Sequence, residues 1–238
     1  TTSARFIYCF DPDISFQNLE VQTPSSGAVW IHSTSNYKVN VLGDMNVDGN
    51  SLFHIQVDSL KVSGALDIAD GGRMHLFDGG YLELDSDFTL NGFLNFDNGG
   101  EAWLHGDFEL ASTGRLDLNN NASFTADAPN SATRAWYDMY GEFNLANSAV
   151  FEVSDNSLWL QSTFNDNISG GEIRIGGTLL AIHPNTFQPT AGLVKFIGTS
   201  QTGAYCNLDP TNWFYNLTID GGTKSWTISG PSSLVIKE

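Results

Sequence analysis

The stretch from Phe88 to Leu118, FTLNGFLNFDNGGEAWLHGDFELASTGRLDL, decides the fold of this chain. Apolar residues recur at every second position in very short runs, and breaks rich in Gly, Asn and Asp separate the runs. Such alternation is typical of half-buried β-strands, and the breaks are typical of tight turns. The stretch therefore predicts short strands with a turn after each one.

The same pattern extends over most of the chain. Leu60–Ile68 has the same shape as Phe88–Phe96 and Phe108–Leu118, and the starts of the last two segments are separated by roughly one solenoid coil. No extended stretch of the sequence follows the 3.6-residue period of an amphipathic helix. The sequence predicts an all-β protein.

Two all-β folds fit this pattern. The turns could connect hairpins of an antiparallel β-sandwich. They could also be the corners of a parallel β-helix, or β-solenoid, in which each coil carries two or three short strands. The runs begin at intervals of roughly a third of a coil, where a coil has ~20–25 residues. We therefore predict the β-solenoid and keep the sandwich as the alternative.

A longer repeat links the two ends of the chain. The segment YCFDPDISFQNL begins at Tyr8 and YCNLDPTNWFYNL begins at Tyr205, and one inserted residue aligns them. We therefore expect residues 1–40 to be a copy of 198–238, the start of a next repeat. Between them we expect a solenoid body at 41–197, with a loop insertion at about 125–141.

The repeat places Cys9 and Cys206 at opposite ends of a solenoid, ~40 Å apart at ~4.8 Å per coil. A disulfide within the chain is then impossible, because bridged Cα atoms lie within ~7 Å. Two interpretations stay open: each Cys is a small buried side chain, or the two form bonds between molecules. The predicted intermolecular contact residues are Cys9, Cys206, Phe16 and Phe214.

The composition is strongly acidic. The 238 residues include 27 acidic and 10 basic side chains, a formal net charge of −17. Most of the acids are Asp, and Gly, Asn and Asp together make up more than a quarter of the chain, which indicates many turns. The few Lys and Arg residues are scattered, which argues against nucleic-acid partners and anionic membrane surfaces. No apolar run is long enough for membrane insertion.

One segment matches the start of a calcium-binding loop. Asp44, Asn46 and Asp48 occupy positions 1, 3 and 5, and Gly49 occupies position 6. Position 12 should be an acid and is Ile55, and strand-like alternation flanks the segment. A strand followed by a turn is therefore the favoured interpretation. We expect no cofactor and keep calcium at these residues as the alternative.

Short modification motifs occur at four places. Asn121, Asn167 and Asn216 begin Asn-x-Ser/Thr sequons, and Ser59 lies in an Asp-Ser-Leu triplet of a type that some bacteria O-glycosylate. Such motifs also arise by chance in a chain this rich in Asn. They identify candidate glycosylation sites for a glycoprotein and predict nothing further.

The sequence contains no recognisable catalytic motif. The five His residues never approach the spacing of metal ligands, and no Ser lies in a nucleophile elbow. The acids lie mostly in turns or at outward strand positions, where a solvated carboxylate is the ordinary outcome. We expect that the chain is not an enzyme; a polysaccharide-degrading enzyme is the third-ranked alternative.

Three segments near the end carry a family resemblance: Gly192–Gly198, Phe214–Gly222 and Trp226–Gly230. Their order of a Val-x-Phe strand, a Phe-x-Asn-Leu-x-Ile strand and a Gly-rich turn resembles the tandem repeats of large secreted surface proteins of Bacteroidetes-type bacteria. The resemblance implies secretion, β-solenoid modules, and roles in adhesion or extracellular fibres. It implies no catalytic residues.

We therefore expect an extracellular structural repeat module, secreted or at the cell surface, that self-assembles head to tail into a fibre or filament. Neither end of the sequence carries a recognisable polar cap, and a solenoid end needs a cover. The expected partner is the chain itself. The alternative is a glycan-binding, adhesin-like module that uses exposed aromatic side chains.

Overall fold

The computed structural model describes residues 4–8, 13–23, 27–32, 37–127, 136–154, 157–181, 187–197, 204–208, 211–220 and 226–229. Within these ranges the chain forms 27 strands and no helix. The strands belong to three sheets, named A, B and C here. The chain visits them in that order in each coil through residue 181, and the described strands after it belong to sheets B and C.

Sheet A contains β1 (Ala4–Tyr8), β4 (Ala28–His32), β7 (Leu52–Gln56), β10 (Arg73–Leu76), β13 (Phe93–Phe96), β16 (Arg115–Leu118), β19 (Glu142–Leu145) and the first part of β22 (Asn165–Ile175). Sheet B contains β2 (Asp13–Phe16), β5 (Lys38–Val41), β8 (Ser59–Val62), β11 (Tyr81–Leu84), β14 (Glu101–Leu104), β17 (Ser123–Ala126), β20 (Val150–Val153), the second part of β22, β24 (Ala191–Phe196) and β26 (Leu217–Ile219). Sheet C contains β3 (Leu19–Val21), β6 (Met45–Val47), β9 (Leu66–Ile68), β12 (Phe88–Leu90), β15 (Phe108–Leu110), β18 (Trp136–Met139), β21 (Ser157–Leu160), β23 (Leu179–Ala181), β25 (Ala204–Asn207) and β27 (Trp226–Ser229).

The described strands pair in parallel with the strand one coil away. Arg73 pairs with Phe93, and Arg115 pairs with Glu142. The partners are separated in sequence by a whole solenoid coil, whereas hairpin partners lie much closer in sequence and run antiparallel. The predicted β-solenoid is confirmed, and the antiparallel sandwich is wrong.

The core is one column of apolar side chains that point inward from the three sheets. Phenylalanine rings follow one another along it: the centroids of Phe88 and Phe108 lie 5.7 Å apart, and that of Phe124 lies 5.1 Å from Phe108. These three rings are almost fully buried. Burying a side chain of this kind contributes about 1.5–3 kcal/mol, so the column supplies the main stabilising term.

In the middle coils glycine occupies the corner where the chain turns from sheet C into sheet A, whereas Ser51 and Phe164 take the same place in coils on either side. Gly92, Gly114 and Gly141 occupy this place in three successive coils. A Cβ on Gly114 would lie 2.0 Å from the carbonyl oxygen of Leu90, and one on Gly141 would lie 2.3 Å from that of Gly114. The coils approach each other this closely because the corner residue has no side chain.

The corner from sheet A to sheet B has a left-handed backbone. Asp78, Asn98, Asn120 and Asn147 have φ angles of 51°, 53°, 47° and 57°. Asn and Asp tolerate this conformation better than other residues with a Cβ. The corner also stacks by hydrogen bonding, since the Asn147 amide donates to Oδ1 of Asn120 at 2.7 Å. The high Asn and Asp content therefore has a structural use.

Described strands occupy both edges of the span at about 125–141 in which the sequence predicts a loop insertion, and residues 128–135 lie outside the described residues. Ser123–Ala126 is a strand, and Trp136–Met139 is a strand of sheet C that pairs with its neighbours on both sides. Tyr137 and Met139 point inward and are buried. The sequence did not show this strand, because the added residues between 126 and 136 disturb the coil interval on which its identification depends.

The predicted long repeat falls on different sheets at its two ends. Leu19 of the first copy begins β3 in sheet C, whereas the aligned Leu217 begins β26 in sheet B. The copies therefore differ in their placement around the coil. The boundaries at 1–40, 41–197 and 198–238 stay predictions from the sequence.

We predict that Gly114→Ala lowers the free energy of unfolding by about 2–3 kcal/mol, because the new methyl group must push two coils apart. The shift in the urea midpoint, followed by circular dichroism, measures this effect.

Gly100→Ala is the matched control, because the equivalent corner position in the next coils is Ala122 and then Ala149. Backbone hydrogen bonds from the Ser123 N–H to the Gly100 oxygen and from the Val150 N–H to the Ala122 oxygen show that these positions align in successive coils. We expect this variant to shift the midpoint little. Equal shifts for both variants would contradict the requirement for glycine at position 114.

Candidate functional site

The side chains of the three calcium-motif residues make hydrogen bonds within the protein, and that of Asp44 joins two coils. Oδ1 of Asp44 accepts a hydrogen bond from the backbone N–H of Ala65 in the next coil at 2.9 Å. Asn46 lies on β6, and its amide donates to Oδ1 of Asp48 at 3.3 Å. These contacts agree with the favoured interpretation of the motif, a strand followed by a turn. A calcium ion at Asp44, Asn46 and Asp48 stays a prediction.

The candidate glycosylation sites lie at the surface. Asn121, Asn167 and Asn216 are exposed, whereas Ser59 is half-buried at the start of β8. Asn121 lies in the corner between sheets A and B, and its Oδ1 accepts a hydrogen bond from Ser148. Modification at these four residues stays a prediction.

Two of the predicted intermolecular contact residues are buried within the chain. Phe214 is 0% exposed, and its ring centroid lies 6.0 Å from that of Phe187. Cys206 is buried in β25, and burial raises the pKa of its thiol to about 12. Neither side chain is available to a second molecule in this structure. Phe16 is half-buried in the first coil, and Cys9 lies outside the described residues.

The outer face of sheet B carries a cluster that the sequence reasoning missed. We define the Trp103 face as Tyr81, Glu83, Asp85, Trp103 and His105, from two neighbouring coils. Trp103 pairs with Glu83 in the ladder, and its side chain is 38% exposed. It is a large exposed ring beside carboxylates and an imidazole.

A lysine neutralises part of the charge of the Trp103 face. Nζ of Lys61 lies 2.8 Å from Oε1 of Glu83 and 3.0 Å from Oδ2 of Asp85. These hydrogen bonds raise the pKa of Lys61. Ligand atoms of Glu83, Asp85 and His105 lie within 4.8 Å of one another, a spacing that would suit a cation. The Lys61 ammonium already supplies a positive charge there, so the cluster is an ion-pair network.

The outer face of sheet A has a different character. We define the His54 row as the central outward ladder of this sheet, which consists of Trp30, His54, His75, Asn95, Asp117 and Asn144. The rings of Trp30 and His54 stack with their centroids 3.8 Å apart. His54, Asn95, Asp117 and Asn144 are all buried although they point outward, because neighbouring side chains cover them.

The two histidines of the His54 row are held neutral. Burial, and then the neighbouring His75, lowers the pKa of His54 to about 4. Burial also lowers the pKa of His75. In the described part of the chain, Nδ1 of His54 and Nε2 of His75 are buried without a hydrogen-bond partner. A proton on either ring would therefore be poorly stabilised.

The rest of the His54 row is a hydrogen-bonded network. Nε and Nη2 of Arg115 both donate to the Asp117 carboxylate at 2.8 Å, and Asn144 donates to the same carboxylate. Asn95 donates to Asp97 at 2.8 Å. Such charge-assisted pairs fix the side chains, so this half of the row is rigid.

Alignment of successive coils is the sequence signal that would have found both surfaces. Tyr81, Glu83 and Asp85 align with Glu101, Trp103 and His105 once the interval of one coil is applied. Spacing rules for helices and metal motifs do not detect such sites, because the partners lie a whole coil apart in sequence.

The comparisons with known proteins add little. No family model matches the chain, and no curated protein matches it. Among solved structures, the chain resembles a TibA fragment, TibA55-350, whose hyper-glycosylation is catalysed by TibC; that likeness has 13% identity and covers 99% of this chain and 100% of the other. Its TM-score of 0.25 carries no argument about function. The resemblance to bacterial surface repeats stays a prediction.

A search for membrane spans in the described residues finds no helix with the length and apolarity to cross a bilayer. The β-solenoid fold is compatible with an adhesive or structural role at a surface.

We predict that His54→Phe reduces the loss of stability in acid. The folded state favours neutral His54, whereas the unfolded state takes up a proton at about pH 6.5. The free energy of unfolding is therefore highest above this pH, and it decreases as the pH falls toward about 4, the pKa of His54 in the folded protein. Phenylalanine keeps the stack on Trp30 and cannot take up a proton.

The measurement is a set of urea titrations of both proteins between pH 7 and pH 4. We expect the stability of the variant relative to wild type to rise by about 1–3 kcal/mol over this range. A constant difference at every pH would contradict a neutral, buried His54.

Proposed function

We propose that this chain is a structural β-solenoid rod of an extracellular or cell-surface protein, and that it lengthens by stacking its end coils head to tail on further copies. The observation that supports this proposal is that both ends of the described solenoid expose side chains that are buried in every inner coil.

The first coil shows this exposure most clearly. Ile14 and Phe16 of β2 are half-buried, whereas their ladder partners Val39 and Val41 are 0% exposed. All four side chains point toward the core column. The described part of the first coil therefore leaves the end of the column partly exposed on the side away from the second coil.

The last coil has the same feature. Ile219 is 43% exposed, whereas its ladder partner Phe196 is 0% exposed. Among the described residues, the strands of the first coil also pair on one side only. Another parallel coil packed on either described end would bury the exposed apolar side chains and would also supply hydrogen-bond partners for the strand edges.

Stacking of this kind does not close on itself. A contact between one end of a molecule and the opposite end of the next is heterologous. Molecules stacked along one straight axis cannot return to the first molecule, so such a contact produces open filaments and not rings. An in-register solenoid suits that outcome, because each added molecule continues the same three sheets.

We predict that the purified chain associates in a concentration-dependent way and that Ile14→Asp abolishes the association. A carboxylate at this position places an unpaired charge where the next coil would pack. Light scattering after size exclusion measures the mass, and negative-stain microscopy shows the shape.

Ser15→Asp is the matched control, because Ser15 lies on the same strand, points outward and is exposed. We expect this variant to associate as the wild type does, and the melting temperatures of both variants show whether the fold is retained. Monomers at every concentration, or equal loss in the two variants, would overturn the stacking proposal.

A second candidate function is glycan binding, and the Trp103 face favours it. Exposed Trp presents a flat apolar ring on which a sugar can stack, and the adjacent Glu83, Asp85 and His105 can bond hydroxyl groups. Lys61 cancels part of the charge, so an uncharged, hydroxyl-rich ligand suits this face.

We predict that Trp103→Ala weakens binding to a neutral oligosaccharide identified on a glycan array by about tenfold, measured by calorimetry. Trp30→Ala removes an indole ring from sheet A and serves as the control, with no expected change in binding. An array without hits, or equal weakening in both variants, would contradict binding at the Trp103 face.

A further inference from the structure

A polar groove runs along the corner between sheets C and A. It is an open groove of about 430 Å³, lined by residues of successive coils, among them Asp70, Arg73, Phe93, Ser112, Thr113, Arg115 and Glu142. Arg73, Phe93, Arg115 and Glu142 are consecutive partners in one ladder, so the groove spans three coil intervals of ~4.8 Å, or ~14 Å along the rod.

The glycine corner creates this groove. Gly72, Gly92 and Gly114 also line it, and they contribute backbone without side chains. Side chains at these positions are excluded by the close approach of the coils, since a Cβ on Gly92 would lie 2.4 Å from the carbonyl oxygen of Ala69. The constraint that lets the coils stack therefore leaves an open channel beside the ladder.

One cation in the groove is fixed by its neighbours. Arg115 holds Asp117 through two hydrogen bonds and lies 3.5 Å from Glu142, and its guanidinium carbon lies 5.0 Å from the centroid of Phe93. Arg115 is thereby occupied. It forms a rigid wall with Phe93 and Glu142.

The other cation has no such partner. Arg73 is exposed, and no acidic side chain pairs with it in the described ranges. Lys61 and Arg174 on sheet B, in contrast, are each held by two carboxylates. In a chain with a net charge of −17, an open guanidinium at the end of a polar groove is a place where a ligand carboxylate would find a bidentate partner.

We propose that this groove binds a uronate-containing polysaccharide chain, with a sugar carboxylate on Arg73. The hydroxyl groups of the sugars bond to Ser112, Thr113 and the carboxylate of Glu142. The Thr113 hydroxyl donates to the backbone oxygen of Asn91 at 3.0 Å, which leaves its oxygen free to accept from a sugar hydroxyl.

The lining favours a glycan over an acidic peptide. Its side chains are hydroxyls, carboxylates and guanidinium groups, with Phe93 as the aromatic member, so it suits a ligand with hydroxyl groups on all sides. A peptide would need apolar pockets for its side chains and partners for its N–H groups. Two carboxylates, Asp70 and Glu142, line the groove itself, and they can accept hydrogen bonds only from hydroxyl groups, so the ligand carboxylate must lie at Arg73. The acids outside the groove repel a polyanion weakly, because the Debye length is about 8 Å at physiological ionic strength.

This inference is independent of the head-to-tail stacking. It adds a charged site to the glycan-binding candidate on a different face from Trp103, so each can fail without the other.

The test is a cycle of two changes, one in the protein and one in the ligand. Calorimetry at physiological salt measures the binding of wild type and Arg73→Gln to an oligogalacturonate and to its carboxyl-reduced, neutral counterpart. We expect Arg73→Gln to weaken binding of the oligogalacturonate about tenfold and to leave the neutral ligand unchanged. Arg73→Lys should keep part of the affinity, because lysine retains the positive charge but cannot form the two parallel hydrogen bonds that a guanidinium makes to a carboxylate.

Arg174→Gln is the matched control, since it removes the same charge from sheet B and should leave the affinity unchanged. Thermal melts confirm that the variants fold; Arg73 is exposed at a strand end, so we expect no loss. The proposal is overturned if the oligogalacturonate does not bind, if Arg73→Gln has no effect or if Arg174→Gln weakens binding equally. An oligoglutamate of equal charge that binds as tightly would overturn the glycan assignment.

Discussion

Backbone hydrogen bonds between parallel strands hold successive coils about 4.8 Å apart, and the rest of the molecule must fit that spacing. Whatever residue occupies a position in one coil meets its counterpart in the next. Inward positions are therefore apolar, although they differ in size, as Ala102 and its partner Phe124 in the next coil show. At the corner from sheet C to sheet A the middle coils approach too closely for a side chain, as at Gly92 and Gly114.

The same constraint explains most of the unusual composition. Asp78 and Asn98 lie at a corner that needs a left-handed backbone, and Asp44 and Asp87 accept hydrogen bonds from backbone N–H groups of the next coil. These acids contribute to the net charge while they serve the stacking of coils. The net charge is therefore a by-product of the corners and does not identify a ligand. A cation without an acidic partner, such as Arg73, is more informative.

The fold could be predicted because its signals are local. Alternation within Phe88–Leu118 and the regular interval between similar runs suffice for a solenoid. The functional surfaces are not local, because each joins residues from different coils whose alignment depends on register. Trp103 meets Glu83 across a full coil. Of the two interpretations of the cysteines, the small buried side chain is the one that Cys206 fits. The burial of Phe214 could not be predicted, since the aligned Phe16 is only half-buried in the first coil.

The ladders also indicate where function can reside. At one outward position of sheet B, four successive coils carry chemically different side chains, namely Glu83, Trp103, Thr125 and Glu152. At the adjacent inward position the same coils carry only apolar residues, namely Leu82, Ala102, Phe124 and Phe151. Packing fixes the inward row and leaves the outward row free, since solvent accepts any side chain there. Chemistry that the stacking does not require is therefore confined to the outer faces and the two ends, and those are the surfaces on which binding must be sought.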